Sequence, residues 1–271
     1  MDFSDVKLIV CDMDGTLLNS RLELPEGLFE MITALKAQGI RFAVASSRSC
    51  PTLRYQFEPV REDIIFLCEN GCCIMDHDRP VDTTAFTDAQ LALPIQMAAE
   101  MPETHLIFSG LRHAYLLRSS GMEVFREMQK YYQALEIVDR ADAIREQVFK
   151  ITVYAPEDAE HKAYPYYRQL KSPYRVSLDG TIWINIGPEG VSKGTGLQAI
   201  QRAFGITSAQ TMVFGDYLND YDMMAHSDFS FAMANAHPDL KKVCRYETLS
   251  NDEDGVMHIL RQVRAQHEGK E

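Results

Sequence analysis

The stretch KLIVCDMDGTLL, Lys7 to Leu18, decides the fold. Its first half, Lys7 to Cys11, is a short apolar run that reads as a buried strand. Its second half places two carboxylates, Asp12 and Asp14, two residues apart just past that strand. In open α/β sheets, ligands gather beyond the carboxyl ends of strands. Paired carboxylates are costly there unless something cationic meets them. Gly15 lets the chain turn sharply and come close to a ligand. The plainer reading is a capping Asp followed by a turn Asp, but the far end of the chain repeats the pattern. There the strand Thr211 to Phe214 runs into Gly215-Asp216-Tyr217-Leu218-Asn219-Asp220. If the two strands are neighbours, Asp12, Asp14 and Asp216 converge on one point. Converging oxygen donors suit a hard cation that keeps some of its water, Mg2+ before Ca2+. Asn219 and Asp220 either join that site or cap the helix that follows.

Outward from this stretch, strands and helices alternate. Pro25 opens a helical segment with Leu28, Ile32 and Leu35 on one stripe, closed by Gly39. Arg41 to Ala45 is a second strand, Leu53 to Phe57 a short helix, and Ile64 to Cys68 a third strand. The last 80 or so residues repeat the style. Lys193 to Phe204 is helical, Thr211 to Phe214 a strand, Asp220 to Ala225 a short helix and Phe229 to Met233 a strand. A closing helix includes Val256 to Val263, and Asp252 to Asp254 reads as a solvated face or its acidic first turn. The middle differs. His105 to Ser109 and Ala114 to Arg118 read as a hairpin around Gly110. Val148 to Tyr154 and Trp183 to Ile186 add strands. Helices are expected around Ala89 to Met101 and Met122 to Tyr132, and Pro165 interrupts a third or starts its second half. The expected fold class is α/β, a Rossmann-like parallel-sheet core (1–82 and 188–271) with an inserted α+β domain (83–187).

Composition narrows the function. The chain has 271 residues, 46% of them apolar and 24% charged, which is globular usage. Its 27 basic and 39 acidic side chains give a net charge of −12. That sign speaks against nucleic acid and anionic membranes as partners. No apolar run approaches the roughly 18 residues of a spanning helix. Asp2 and Asp5 stand where a secretory leader would carry basic residues. The six cysteines, Cys11, Cys50, Cys68, Cys72, Cys73 and Cys244, form no CxxC pair. They read as reduced thiols, so a cytoplasmic location is expected.

Two further segments suit a phosphate. The second strand ends in Ala45-Ser46-Ser47-Arg48, where a hydroxyl and backbone N–H groups can face an anion. Gly190-Val191-Ser192-Lys193-Gly194 precedes a helix, and a lysine at a helix start opposes the helix dipole. Such a lysine needs a carboxylate cluster or a phosphate nearby; alone it would read as solvated.

Together DMDGTLL (12–18), ASSR (45–48), GVSKG (190–194) and GDYLND (215–220) resemble the haloacid dehalogenase superfamily, in its Cof-type (IIB) phosphatase branch. ENG (69–71), NAHPDLK (235–241) and SNDEDGV (250–256) echo it, in the family's order. Two departures stand out: Ser46-Ser47-Arg48 where the family usually has Thr-Gly-Arg, and Tyr217 where it often has a small residue. The middle segment matches only by size and position, as a cap domain.

The resemblance implies a phosphatase acting on small phosphorylated metabolites such as sugar phosphates or phosphorylated cofactors. Asp12 would be the nucleophile that forms an aspartyl-phosphate, and Asp14 the acid–base residue. Mg2+ would be held by Asp12, the Asp14 backbone carbonyl and Asp216. Ser46 and Lys193 would hold the phosphoryl oxygens. Substrate contacts are expected at Ser46, Ser47, Asn70, Lys193 and Asn219, supported by Thr16, Arg48 and Asp220. Asn219 and Asp220 would position Lys193 or metal-bound water. Arg112, His113, Arg118 and Trp183 are candidates to read the leaving group, although Trp183 also reads as core, Asn70-Gly71 as a hairpin turn and the others as solvated. Tyr164, Tyr166 and Tyr167 line the cap or pack it. Alternatives are a phosphomutase or phosphotransferase on the same scaffold, or a non-catalytic phosphoester-binding protein. A monomer or homodimer is expected.

Overall fold

The computed structural model describes residues 1–179 and 181–268. Its strands are β1 (Leu8–Asp12), β2 (Arg41–Ala45), β3 (Ile64–Cys68), β4 (Cys73–Asp76), β5 (Arg79–Thr83), β6 (His105–Ser109) and β7 (Ala114–Leu117). They continue with β8 (Leu135–Val138), β9 (Lys150–Tyr154), β10 (Tyr174–Leu178), β11 (Trp183–Pro188), β12 (Thr211–Gly215), β13 (Phe229–Ala232) and β14 (Tyr246–Glu247). The helices are α1 (Leu28–Ala37), α2 (Cys50–Gln56), α3 (Asp88–Glu100), α4 (Gly121–Met128), α5 (Tyr164–Tyr167), α6 (Lys193–Phe204), α7 (Tyr221–Met224), α8 (Pro238–Lys241) and α9 (Gly255–Glu268). The chain divides into two compact units: Met1–Ser47, Phe57–Asp82 and Ser192 onward, and Arg48–Gln56 with Thr83–Val191.

The first unit carries an eight-stranded sheet in the order β14-β13-β12-β1-β2-β3-β4-β5. From β14 to β3 the pairing is parallel. Every residue of β1, β3 and β12 is buried, so both faces of these strands are covered. The chain runs outward from β1 through β2 and β3 on one side, and from β12 through β13 and β14 on the other. The order therefore reverses between β1 and β12, and the crevice that such a switch point opens lies at their carboxyl ends. There Cys11 is paired with Phe214, so Asp12 and Gly215 follow side by side. On the other flank Asp12 is paired with Ala45, which places Ser46 one step beyond.

One predicted boundary shifts. Gly27 sits at φ 76, a left-handed value that no helical residue adopts, so α1 begins at Leu28 rather than at Pro25. Asn251–Glu253 forms a separate turn and α9 begins at Gly255, so the exposed acidic run is the solvated face of its two readings and precedes the last helix. Met223 and Met224 are core residues.

The second unit is built on a six-stranded sheet, order β10-β11-β9-β6-β7-β8. All of its pairings are antiparallel except β7 with β8. One face packs Leu106, Phe108, Ile151, Val153, Ile184 and Ile186 against α3 and α5. Tyr167 is fully buried in that layer, with Tyr164 and Tyr166 against it, so the aromatic run packs. Pro165 sits in the first turn of α5, where its missing N–H costs nothing. The opposite face carries α4 over Ile107, Ala114 and Leu116.

Candidate active site

Three segments of the first unit meet at the β1/β12 edge. Asp12 ends β1 and is 5% exposed. Lys193, the first residue of α6, is 1% exposed and donates from Nζ to Asp12 Oδ1 and, at 2.7 Å, to Asp220 Oδ1. Asp216 follows β12, and its Oδ1 accepts from Thr16 Oγ1 at 3.1 Å. Asp220 has no exposure. Its Oδ2 accepts the backbone N–H groups of Asp216 and Tyr217 at 3.1 and 3.3 Å. Asp220 is thus both a cap for its own turn and the second partner of Lys193.

The backbone is shaped for this closeness. Gly15 lies at φ 83, and a Cβ there would collide with the Asp216 carboxylate, so only glycine lets the Asp14–Thr16 turn close on Asp216. The turn after β3 is stranger. Glu69 and Asn70 both lie in the left-handed region, at φ 52 and 55, and Gly71 follows at φ 102. Two non-glycine residues in that region store strain of about 1–3 kcal/mol each. The turn links two parts of the site: Asn70 N–H donates to Ser46 O at 2.9 Å, and Gly71 presses its Cα side against the Ser192 carbonyl. Asn70 Oδ1 is buried without a hydrogen-bond partner among the described residues.

The electrostatics follow from burial. The Asp12 carboxyl is pushed well above the usual range by burial first and by the Asp220 charge second, with Lys193 pulling back only in part. Asp216 is pushed up to about 6, by burial and then by Asp220. Burial works against the Lys193 ammonium, but Asp12 and Asp220 outweigh it and hold the proton more tightly than usual. Carboxylate oxygens of Asp12, Asp216 and Asp220 lie within 4.8 Å of one another. Three carboxylates against one ammonium leave two formal negative charges in a buried place. A divalent cation with oxygen preference fits that donor set. Asp220 has both oxygens engaged within the protein, so Asp12 and Asp216 are the carboxylates suited to it.

The other predicted site residues are divided between the two units. Asp14 is exposed in the turn after β1, and Thr16 is buried. Ser46 is buried, Ser47 half-buried, and Arg48 belongs to the second unit. Asn219 is exposed, and of the Asn219–Asp220 pair it is Asp220 that touches Lys193. In the second unit Arg112 and His113 approach Glu146, and Arg118 pairs with Asp139. Trp183 is half-buried between the rings of Tyr154 and Tyr131, at 4.9 and 5.0 Å. Gly71 and Asn235 were not singled out for a role. Asn235 Nδ2 donates to Gly15 O at 2.8 Å and so braces the Asp14–Thr16 turn. The NAHPDLK echo was its only sequence signal.

A parallel sheet whose switch point holds a buried Asp–Lys–Asp cluster beside a third acid fits a class of enzymes, the hydrolases of phosphoric monoesters. The comparisons with known proteins carry this further. Residues 9–260 match the haloacid dehalogenase-like hydrolase family. A 5-amino-6-(5-phospho-D-ribitylamino)uracil phosphatase of Escherichia coli is 31% identical over 262 residues, covering 95% of this chain and 96% of that protein. A Streptococcus mutans protein of known crystal structure superposes with a TM-score of 0.83 at 30% identity, covering 96% of this chain and 99% of its own. A haloacid dehalogenase-like hydrolase from Bacteroides thetaiotaomicron gives 0.83 at 25% identity, covering 95% and 99%. The chain belongs to the haloacid dehalogenase-like hydrolases, in their Cof-type branch.

Proposed function

We propose that the protein is a Mg2+-dependent phosphatase of small phosphorylated metabolites, working through an aspartyl-phosphate on Asp12. The observation that carries this reading is the burial of Asp12 against Lys193 beside Asp216 at the switch point. Phosphate monoesters resist hydrolysis because the dianion repels nucleophiles and the leaving alkoxide is poor. Lys193 and the hydroxyl of Ser46 hold the phosphoryl oxygens and offset their charge. One Asp12 carboxylate oxygen attacks phosphorus as the ester P–O bond breaks. Asp14 gives its proton to the leaving oxygen. Asp14 then takes a proton from water, which attacks the same phosphorus and releases phosphate and Asp12. Asp12, the Asp14 carbonyl and Asp216 would hold Mg2+, which would supply charge neutralisation between carboxylate and phosphate. Thr16 and Asp220 fix Asp216 and Lys193 in place. Ser47, Asn70 and Asn219 are assigned to substrate, and Arg48 to support of the Ser46–Ser47 turn.

In this reading residues 1–82 and 188–271 form the catalytic domain and residues 83–187 the cap domain. The name of the Escherichia coli relative puts phosphorylated ribityl compounds, with sugar phosphates, in the first substrate panel. The test is p-nitrophenyl phosphate turnover with Mg2+. Asp12→Asn is expected to lower kcat by about 10³-fold or more, a loss of roughly 4 kcal/mol of transition-state stabilisation. EDTA is expected to silence the wild-type protein. A near-wild-type rate in Asp12→Asn removes the nucleophile, and full activity in chelator removes the metal.

A further inference from the structure

We propose that the second unit carries a recess over Gly187 that takes an oxyanion borne by a hydroxylated small molecule. Strand alternation assigns the faces of its sheet. Ile151 and Val153, Leu106 and Phe108, Ile184 and Ile186, and Tyr174 and Val176 belong to the large apolar layer. Lys150 and Thr152, Ile107 and Ser109, Asn185 and Gly187, and Arg175 and Ser177 therefore stand on the other face. Towards β7 and β8 that face is apolar and packs α4. Towards β10 it is polar.

The register lines the polar residues up. Arg175 is paired with Gly187. Ile186 is paired with Ile151, and one further step sets Gly187 opposite Lys150. Lys150 is paired in turn with Ser109. One row thus reads Arg175, Gly187, Lys150, Ser109. Neighbouring strands lie about 4.8 Å apart, so the two cationic residues leave their strands roughly 10 Å apart on either side of the glycine. A Cβ built on Gly187 meets nothing within 4 Å. The notch is open, and a glycine inside a strand often marks where a ligand comes close. The next row reads Ser177, Asn185, Thr152. Thr152 Oγ1 donates to Asn185 Oδ1 at 3.2 Å, and Asn185 Nδ2 donates to Asp179 Oδ2 at 2.7 Å.

These groups are built in. Lys150 and Asn185 are each 6% exposed, Thr152 4% and Ser109 fully buried. Ser109 Oγ has no hydrogen-bond partner among the described residues, although buried hydroxyls nearly always have one. Arg175 gives one N–H of its fork to Val191 O at 2.8 Å, which anchors the guanidinium. Two cationic side chains flanking an open notch, with hydroxyl and amide groups beside it, match a carboxylate or second phosphate on a polyol. That molecule is either a substrate of the phosphatase or a separate effector. Only the turnover arms below rest on the phosphatase reading.

The test compares 6-phosphogluconate with glucose 6-phosphate, which lacks the carboxylate. In calorimetric titrations of the whole chain in EDTA, 6-phosphogluconate is expected to bind about tenfold more tightly. Gly187→Val narrows the notch, where a Cβ meets nothing within 4 Å, and Arg175→Gln removes one of its two cations. Each is expected to bring the two affinities within about twofold of each other. Equal affinities in the wild-type protein, or a preference that survives both variants, overturns the recess. With Mg2+, the ratio of kcat/KM for the two esters should collapse in the same variants if the substrate supplies the oxyanion. If an effector does, gluconate alone should alter p-nitrophenyl phosphate turnover in the wild-type protein and not in the variants. Failure of all turnover with the titration preference intact sinks the phosphatase reading and leaves the recess standing.

Discussion

Asp220 has both carboxylate oxygens committed inside the protein: one to the Lys193 ammonium, the other to the N–H groups of Asp216 and Tyr217. From the chain alone this residue read either as a helix cap or as part of the site. The two readings turn out to be one, because the cap bonds and the lysine bond use different oxygens. Its charge is what lets a buried Lys193 stay an ammonium that reaches Asp12. Asn at this position keeps the shape, loses the charge and cannot accept on both sides. Removing one partner of a buried charge pair costs about 3–5 kcal/mol. Asp220→Asn is therefore expected to lower stability by about 3 kcal/mol in urea unfolding and kcat by roughly 10²-fold. Unchanged stability with unchanged kcat would show that Lys193 stands without it.

At the scale of elements, the start of α6 does the positioning. A lysine in the first turn opposes the helix dipole and needs anions to hold it there; Asp12 and Asp220 are those anions. Ser192 fixes the turn itself. Its Oγ accepts from Thr195 N at 3.1 Å, and Thr195 Oγ1 accepts from Ser192 N at 2.9 Å. Ser192→Ala should cost about 1 kcal/mol of stability, the usual worth of such a cap. Because the loosened turn carries Lys193, kcat should fall more than KM rises; a change confined to KM would place Lys193 in ground-state binding alone. The same scale explains what could be read in advance. The inner strands β1, β2, β3, β12 and β13, and β6, β7, β9 and β11, were all legible, because covered strands write apolar runs into the chain. The missed strands β4, β5, β8, β10 and β14 lie at or beside sheet edges. Most of them are only half-buried, so no alternation or apolar run announces them. Within the site, the acids and the lysine were visible through their positions after strands and before a helix. The Asn70-Gly71 turn was read as a turn, but its link from Ser46 to Ser192 was not, because that link runs through backbone groups that any residue possesses.

For the whole molecule, the decisive fact is a conflict of signs. The chain carries a net charge of −12 and the proposed substrate is a dianion, while Lys193 and a divalent ion would bring the three carboxylates of the site to formal neutrality and set cations against the phosphate. At long range the protein repels what it must bind; at contact distance the local charges attract. Screening separates the two, since the Debye length falls from about 30 Å at about 0.01 M salt to about 8 Å at 0.15 M. Contacts of about 3 Å inside a buried site lie well within either length, so salt weakens them little. The repulsion of distributed surface charge acts over tens of ångströms and is largely removed. The expected outcome is that kcat/KM for a small phosphate monoester rises roughly two- to fivefold between about 10 and 150 mM sodium chloride, with kcat nearly constant. A fall over that range would mean that the field reaching the substrate is set by local cations rather than by the net charge. Asp12→Asn, one negative charge fewer at the centre, should leave the salt dependence of any residual substrate binding in place, because the repulsion belongs to the surface and not to the cluster.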